Sequence, residues 1–171
     1  MSTKKKETQK AADIISSAGG RIIGRTKLQK IAYILEISGL GEGFDFEYRH
    51  YGPYSESLAT AARNAAILDI IDEEEVQANW GGFYSIYTSK SHVLDSHDAR
   101  SQLAKLAADS NSIELELAAT AAFLRSKGFE DAWEETAKRK PEKASEERIA
   151  NSKQLYEKLS GIQTPKALPK I

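Results

Sequence analysis

The sequence predicts a mainly α-helical fold with a small β-hairpin, and two observations carry this prediction. Apolar residues recur at intervals of three and four over most of the chain, which indicates amphipathic helices. Residues 76–88 differ, because two short apolar segments flank Asn79-Trp80-Gly81-Gly82, a pattern typical of a hairpin with a glycine-bearing turn. Three predicted helices precede this hairpin, and that order of elements indicates a winged helix-turn-helix-like core. Helices fill the chain again beyond it, which predicts a C-terminal helical bundle.

The N-terminal third contains the first two predicted helices. Residues 1–9 are polar and rich in lysine, so we expect them to be disordered. The first helix follows, with one apolar stripe formed by Ala11, Ile14, Ile15 and Ala18. The second is predicted to begin at Thr26, whose hydroxyl would form a capping box with Gln29. Leu28 would lie on its buried face.

An aromatic segment leads into the third helix. Phe44, Phe46 and Tyr48 alternate with charged residues, which predicts a short strand with one buried face. Gly52-Pro53 should break this strand, and Ser55 is a natural N-cap for the helix that follows. We therefore assign structural roles to Thr26, Leu28, Gln29, Gly52, Pro53 and Ser55.

The C-terminal half is predicted to be helical near residues 96–109, 112–127, 129–138 and 145–160, and Ser145 should cap the last of these helices. The helix around Glu114 to Leu124 is apolar on two sides, which is typical of the central helix of a bundle. The predicted organisation is a disordered basic N-terminus (1–9), a winged-helix-like domain (10–92), a helical region packed on it (93–162) and a flexible tail (163–171).

Composition excludes several classes of protein. The chain has 171 residues and no cysteine, so disulfides, thiolate nucleophiles and cysteine-based metal sites are ruled out. No run of 18 apolar residues occurs, and the N-terminus has no apolar signal segment, so we expect a cytoplasmic protein without a membrane partner.

Charge is unevenly distributed along a chain whose net charge is −1. Residues 1–33 hold eight Lys or Arg residues and two acids, whereas residues 56–75 hold six acids and only Arg63. A third helix and hairpin of this charge would not attract DNA phosphates. Any nucleic-acid contact is therefore expected from the basic N-terminal region.

Four segments of the chain resemble a known family. These are Gly24-Arg25-Thr26-Lys27-Leu28-Gln29-Lys30 with Tyr33, Tyr51-Gly52-Pro53-Tyr54-Ser55, Glu116-Leu117-Ala118-Ala119-Thr120, and Lys140-Pro141. They resemble the YwgA-like proteins, which in turn look like relatives of the SocA/Panacea antitoxin domain. The resemblance spans roughly residues 20 to 160. It implies an antitoxin or adaptor that binds a partner protein, and it implies no known reaction.

Aromatic and cationic residues near these motifs are the candidates for partner binding, because large aromatic side chains and arginine dominate interface hot spots. The candidates are Arg25, Lys27, Lys30, Arg49, Tyr51, Tyr54, Trp80 and Tyr84. Two plainer interpretations stay open for them. The cations could be solvated surface charges, and some of the aromatic residues must belong to the core.

An enzymatic role is not indicated by the sequence. The chain has three histidines, neither GxGxxG nor GxxxxGK occurs, and we expect no cofactor. His92, Asp95, His97 and Asp98 could in principle hold a divalent metal, but they lack paired histidines at helical spacing and are better interpreted as a solvated loop.

The sequence therefore predicts a non-enzymatic protein-binding module, an antitoxin or adaptor that neutralises or presents its partner. The partner could be a toxin or another enzyme that acts on nucleic acid, because the acidic residues 72–75 could imitate phosphate charge. A winged-helix transcriptional regulator is the alternative, and a metal enzyme or hydrolase is a third class. Homo-oligomerisation stays open.

Overall fold

In the computed structural model, the described residues are 5–91 and 97–171, and they form seven α-helices and five short strands. The helices are α1 (Glu7–Ser17), α2 (Arg25–Ile37), α3 (Glu56–Ile67), α4 (Ala99–Asp109), α5 (Ser112–Ser126), α6 (Ala132–Arg139) and α7 (Glu146–Ser160). The strands are β1 (Arg21–Ile23), β2 (Glu47–Arg49), β3 (Gly52–Tyr54), β4 (Ile71–Gln77) and β5 (Phe83–Ser89). The mainly helical class is confirmed. None of the described helices combines the length and the apolar character needed to span a membrane.

The strands form two antiparallel sheets. One has the order β1-β5-β4, and it contains the predicted hairpin as β4 and β5. Strand β4 begins earlier than predicted, at Ile71, because Ile71 is buried against the core and brings the acidic residues 72–75 into the sheet. The second sheet pairs β2 with β3. The predicted strand does end before Gly52-Pro53, at Arg49, but these two residues also begin a second strand, β3, in which Pro53 faces Tyr48.

Helix α5 is the centre of the molecule. All ten side chains from Leu115 to Leu124 are buried, and α5 packs against α2, α6 and α7. This confirms the prediction from its two apolar sides. The core around it also includes side chains of α1, α3, α4 and α7, so both halves of the chain share one hydrophobic core. The predicted boundary at residues 92 and 93 lies outside the described residues.

The first helix begins before the predicted position. Helix α1 starts at Glu7, and Lys5 forms an ion pair with Glu42 at 2.8 Å. Residues 5–9 are therefore ordered, although the sequence predicted disorder. The Lys5 side chain is held in place because the carboxylate of Glu42 lies opposite it. The predicted stripe is confirmed, since Ala11, Ile14, Ile15 and Ala18 are all buried. Residues 1–4 lie outside the described part of the chain.

The helix caps agree with the sequence at two of three predicted positions. Ser55 and Ser145 each accept a hydrogen bond from the backbone N–H of the third helical residue, at 3.2 Å. The predicted capping box of Thr26 and Gln29 is wrong. Helix α2 begins one residue before Thr26, with Gly24 at the N-cap position and no capping side chain, so the Thr26 hydroxyl lies inside the first turn.

Residues 163–171 contain no helix or strand, yet they pack on the body of the protein. Leu168 is buried, and the Lys166 N–H donates to the Ser38 carbonyl at 2.9 Å. The Tyr156 hydroxyl donates to the Pro169 carbonyl. The prolines exclude a helix here, but the apolar side chains hold the segment that was predicted to be a flexible tail.

Candidate functional site

The four sequence segments that carry the family resemblance meet at one turn, residues 50–55. Gln29 of α2 donates from Nε2 to the Ser55 carbonyl at 2.9 Å and accepts from the Ser55 N–H at 2.8 Å. Lys30 donates to the Pro53 carbonyl at 2.7 Å. Lys140 donates to the His50 carbonyl at 3.0 Å. The first motif and Lys140 therefore satisfy the backbone of this turn through buried side chains.

A cluster of charged side chains surrounds this turn, and we refer to Lys30, Glu116, Lys140 and Lys143 as the lysine cluster. The Glu116 carboxylate contacts the Nζ atoms of Lys140 at 3.1 Å and Lys143 at 3.0 Å. Lys30, Glu116 and Lys140 are each at most 3% exposed. One buried carboxylate thus pairs with two ammonium groups and acts electrostatically on Lys30, which makes Glu116 the central group of the cluster.

Burial and like charge determine the protonation of Lys30. Removal from water lowers the pKa of Lys30 from its ordinary 10.5 to about 7. The carboxylate of Glu116 opposes this shift, and the positive charges of Lys140 and Lys143 reinforce it. Between these two values the unfolded chain keeps a proton that folded Lys30 has released. The contribution of Lys30 to the free energy of unfolding therefore rises from pH 7 towards pH 10.5.

We expect Lys30→Met to remove this pH dependence. As pH rises from 7 to 9, the free energy of unfolding of the wild type should increase by up to about 2 kcal/mol relative to the variant. Urea unfolding of both proteins across this range measures the difference. Lys138→Met, at an exposed position, should run parallel to the wild type. Parallel curves for Lys30→Met would contradict the assignment.

A groove lies beside the turn, between the start of α2 and the β4–β5 hairpin, and we refer to it as the hairpin groove. It consists of a larger cavity of about 500 Å³ and a smaller one of about 270 Å³. Arg25, Thr26 and Tyr51 line both cavities. Since Tyr51 belongs to the turn, the lysine cluster fixes one wall of the groove. The Lys143 ammonium lies 4.6 Å from the centre of the Tyr51 ring.

The larger cavity has an apolar and aromatic lining that stays exposed. Trp80 is 77%, Phe83 63% and Tyr51 53% exposed, and all three border this cavity with Ile23 and Tyr84. Trp80 and Phe83 belong to the hairpin, whose glycine-bearing turn leaves their rings outside the core. Exposed large apolar groups that gather around one concave surface are typical of an interaction site.

The cations of the groove are held by neighbouring groups. Arg25 lies 3.1 Å from Glu73 and 3.3 Å from Glu75, so the acidic strand partly neutralises it. The hydrogen bond to Glu73 raises the pKa of Arg25, which keeps the guanidinium charged. Lys27 donates to the carbonyls of Ala108 and Ser110, at 2.8 and 2.7 Å. Lys27 therefore satisfies the C-terminal end of α4 as well as lining the larger cavity.

The structure gathers most of the predicted partner-binding residues around the groove. Arg25, Lys27, Tyr51, Trp80 and Tyr84 line the larger cavity, and Arg25, Lys30, Tyr51 and Tyr54 line the smaller one. Arg49 lines neither cavity, because it pairs with Glu47 and stacks on the Tyr54 ring. Lys30 was predicted as a surface contact, but at 1% exposure it is a buried part of the lysine cluster.

The structural motif residues lie at the turn and the start of α2. Leu28 is buried in the core as predicted, and Ser55 caps α3. Thr26 is half-buried on the wall of both cavities. Gln29 binds the backbone of Ser55 and does not cap its own helix, because it lies more than one turn inside α2.

The segment of histidines and aspartates that could in principle hold a metal is described only in part. His92 and Asp95 lie outside the described residues. Asp98 caps α4 through a hydrogen bond from the Ser101 N–H at 2.8 Å. Within residues 5–91 and 97–171, no group of three His, Cys, Asp or Glu side chains is arranged to hold a metal ion.

Sequence reasoning missed the pairing of Glu116 with Lys140 and Lys143 beside Lys30. The segments 116–120 and 140–141 were recognised only as parts of a resemblance, and their separation in sequence hid their contact. One signal was available. A glutamate in the middle of a helix that is apolar on two sides is expected to be buried, and a buried carboxylate requires a cationic partner.

Comparison with known proteins finds a relative that matches part of the chain. No family model matches the chain. This chain is 34% identical over 97 residues to the "Uncharacterized protein YwgA" of Bacillus subtilis (strain 168). The match covers 54% of this chain and 57% of the relative, so the chain spans little more than half the length of the curated relative it matches. The predicted likeness to YwgA is thereby supported over that region.

Proposed function

We propose that this protein is a cytoplasmic, non-enzymatic protein-binding module, an antitoxin or adaptor that holds its partner in the hairpin groove. One observation carries the proposal. Of six large apolar side chains exposed among the described residues, four border the larger cavity, namely Ile23, Tyr51, Trp80 and Phe83. Tyr51 is presented by a turn that several buried hydrogen bonds hold in place. A preorganised aromatic surface of this kind is favourable for binding, because less side-chain freedom is lost.

The resemblance to the SocA/Panacea antitoxin domain supports the same proposal. Its motif segments build the turn and, through the turn, one wall of the groove. The motif residues would then act mainly by shaping the surface, while Trp80 and Phe83 would supply the contact. This division explains why Gln29 and Lys30 are buried although they belong to the family motif.

The sheet order supports a winged-helix-like core as part of the proposal. Strand β1 pairs with β5, and β5 with β4, while α1, α2 and α3 precede the β4–β5 hairpin. In a DNA-binding protein of this kind, α3 would enter the major groove and the hairpin would lie on the backbone. Residues 72–75 place four acids in β4, which disfavours contact with phosphates. Charge therefore favours the protein-binding function over the regulator.

The test begins by identifying a partner and then measures it with purified proteins. The tagged chain is purified from its native host, and the eluate is examined by mass spectrometry and by absorbance at 260 and 280 nm. We expect a stoichiometric partner whose affinity falls at least tenfold in the double variant Trp80→Ala/Phe83→Ala, because exposed aromatic anchors carry much of the binding energy.

A matched control is available at the end of α3. Ile67 and Leu68 are also large, apolar and exposed, but they line neither cavity. The double variant Ile67→Ala/Leu68→Ala should bind the partner like the wild type. Equal losses in both double variants would contradict the groove as the binding surface. Bound nucleic acid without a protein partner would favour the regulator.

A further inference from the structure

We infer that the smaller cavity of the hairpin groove receives one apolar or aromatic side chain from an acidic segment of the partner protein. This inference rests on the proposed function and names the chemistry of the partner. The cavity measures about 270 Å³, slightly below the range of small-molecule pockets. Its size therefore suits a single large side chain.

Part of the cavity wall is apolar and belongs to the core. Leu28 and Tyr87 are buried in the core, and Ala59 contributes a small side chain from α3. Tyr51 and Tyr54 form the remaining aromatic surface, and both belong to the turn that Gln29 and Lys30 hold. An inserted ring would contact aromatic edges and faces on several sides, the arrangement that aromatic pairs favour.

The charge of the groove selects an acidic segment. The smaller cavity is lined by two exposed cations, Arg25 and Arg63, against Glu73, in addition to the buried Lys30. The larger cavity has Arg25, Lys27 and Lys143 against Glu75 and Glu116. Cations are therefore in excess in both cavities, although the whole chain has a net charge of −1. Charge complementarity of this kind directs partner choice and association.

Arg63 is the cation best placed to bind a carboxylate of the partner. Arg25 already contacts Glu73 and Glu75, and Lys30 donates to the Pro53 carbonyl. The Arg63 side chain has no ion pair or side-chain hydrogen bond with any residue in the described part of the chain. Arg63 is exposed on α3 at the cavity rim, where a planar guanidinium can bind a carboxylate through two hydrogen bonds.

The first experiment uses three synthetic pentapeptides and the full chain labelled with nitrogen-15. The probe is acetyl-Glu-Glu-Phe-Glu-Glu-amide, and its controls replace phenylalanine by glycine or all four glutamates by lysine. Of the three peptides, we expect only the probe, at millimolar concentration, to shift the backbone amide signals of Leu28 and Ala59. Absence of these shifts, or equal shifts with either control peptide, would overturn the inference.

Three variants separate cavity filling from misfolding. Ala59→Trp fills the cavity, and Arg63→Glu reverses the charge at its rim. Each should lower the affinity for the probe at least tenfold, whereas Asn64→Trp, at an exposed position of α3 that lines neither cavity, should leave it unchanged. Arg63→Glu keeps the test decisive if Ala59→Trp does not fold. Probe affinity unaffected by Arg63→Glu would contradict the assigned carboxylate contact.

The failure of this inference can be told apart from the failure of the proposed function. If the partner still depends on Trp80 and Phe83 but binds Ala59→Trp and Arg63→Glu at wild-type affinity, the smaller cavity is not used and the inference fails alone. If the amide signals of Leu28 and Ala59 shift with protein concentration in the absence of peptide, the cavity is occupied by a second copy of the chain. That result would also overturn the inference.

Discussion

Replacing Glu116 with glutamine is expected to lower the free energy of unfolding by about 3 kcal/mol, because it leaves buried ammonium groups without their carboxylate. Lys140 and Lys143 contact Glu116 at 3.1 and 3.0 Å, and Lys140 is itself buried. Glutamine has nearly the same shape and keeps one acceptor oxygen. The loss would therefore report charge far more than packing.

A surface ion pair in the same protein provides the control. Glu134 lies 3.7 Å from Lys138, one helical turn away, and both side chains are mostly exposed. Glu134→Gln should change the free energy of unfolding by no more than about 0.5 kcal/mol. Chemical denaturation of the two variants and the wild type measures the contrast. A Glu116→Gln variant within about 0.5 kcal/mol of the wild type would contradict the central role of Glu116.

The same substitution connects the lysine cluster with the groove. Lys143 contacts both the Glu116 carboxylate and the Tyr51 ring. Without the carboxylate, Lys143 loses the partner that holds it over Tyr51, so the wall shared by the two cavities should become less ordered. This link gives a physical reason for a charged cluster next to an interaction surface, since a buried network can fix one conformation of its neighbours.

The helices were largely predictable because their signals are local. The stripe at Ala11, Ile14, Ile15 and Ala18, the cap at Ser55 and the two apolar sides of α5 each depend on residues within a few turns. The hairpin was recognised from its turn for the same reason. The start of β4 was misjudged because a run of acids does not favour a strand. Pairing with β5 overrides that local preference.

The candidate site was only partly predictable, because its geometry depends on contacts between distant segments. Tyr51, Trp80 and Tyr84 were selected as exposed aromatic residues, and they do border one cavity. Lys30 was placed on the surface because sequence alone shows a lysine near a helix start. Its burial follows from the Pro53 carbonyl and from Glu116, which lie 23 and 86 positions away along the chain.

Gly52→Ala should destabilise the protein by about 3 kcal/mol, because this position combines an unfavourable backbone conformation with a steric clash. Gly52 has a φ of +94°, which L residues rarely adopt. A Cβ atom there would lie 2.3 Å from the Thr120 Oγ1 atom of α5. The turn and the central helix would have to separate, which would disturb the lysine cluster and Tyr51 together.

Two further substitutions separate the two causes. Gly81 has nearly the same φ, +92°, but no atom lies within 4 Å of a Cβ built there, so Gly81→Ala should show only the conformational cost of about 1 kcal/mol. The Thr120 hydroxyl is buried and has no hydrogen-bond partner among the described residues, so Thr120→Ala should cost little on its own. In the Gly52→Ala background, Thr120→Ala should restore the part of the free energy of unfolding that is lost through the clash. A double variant no more stable than Gly52→Ala would show that close contact with Thr120 is not what requires glycine at the turn.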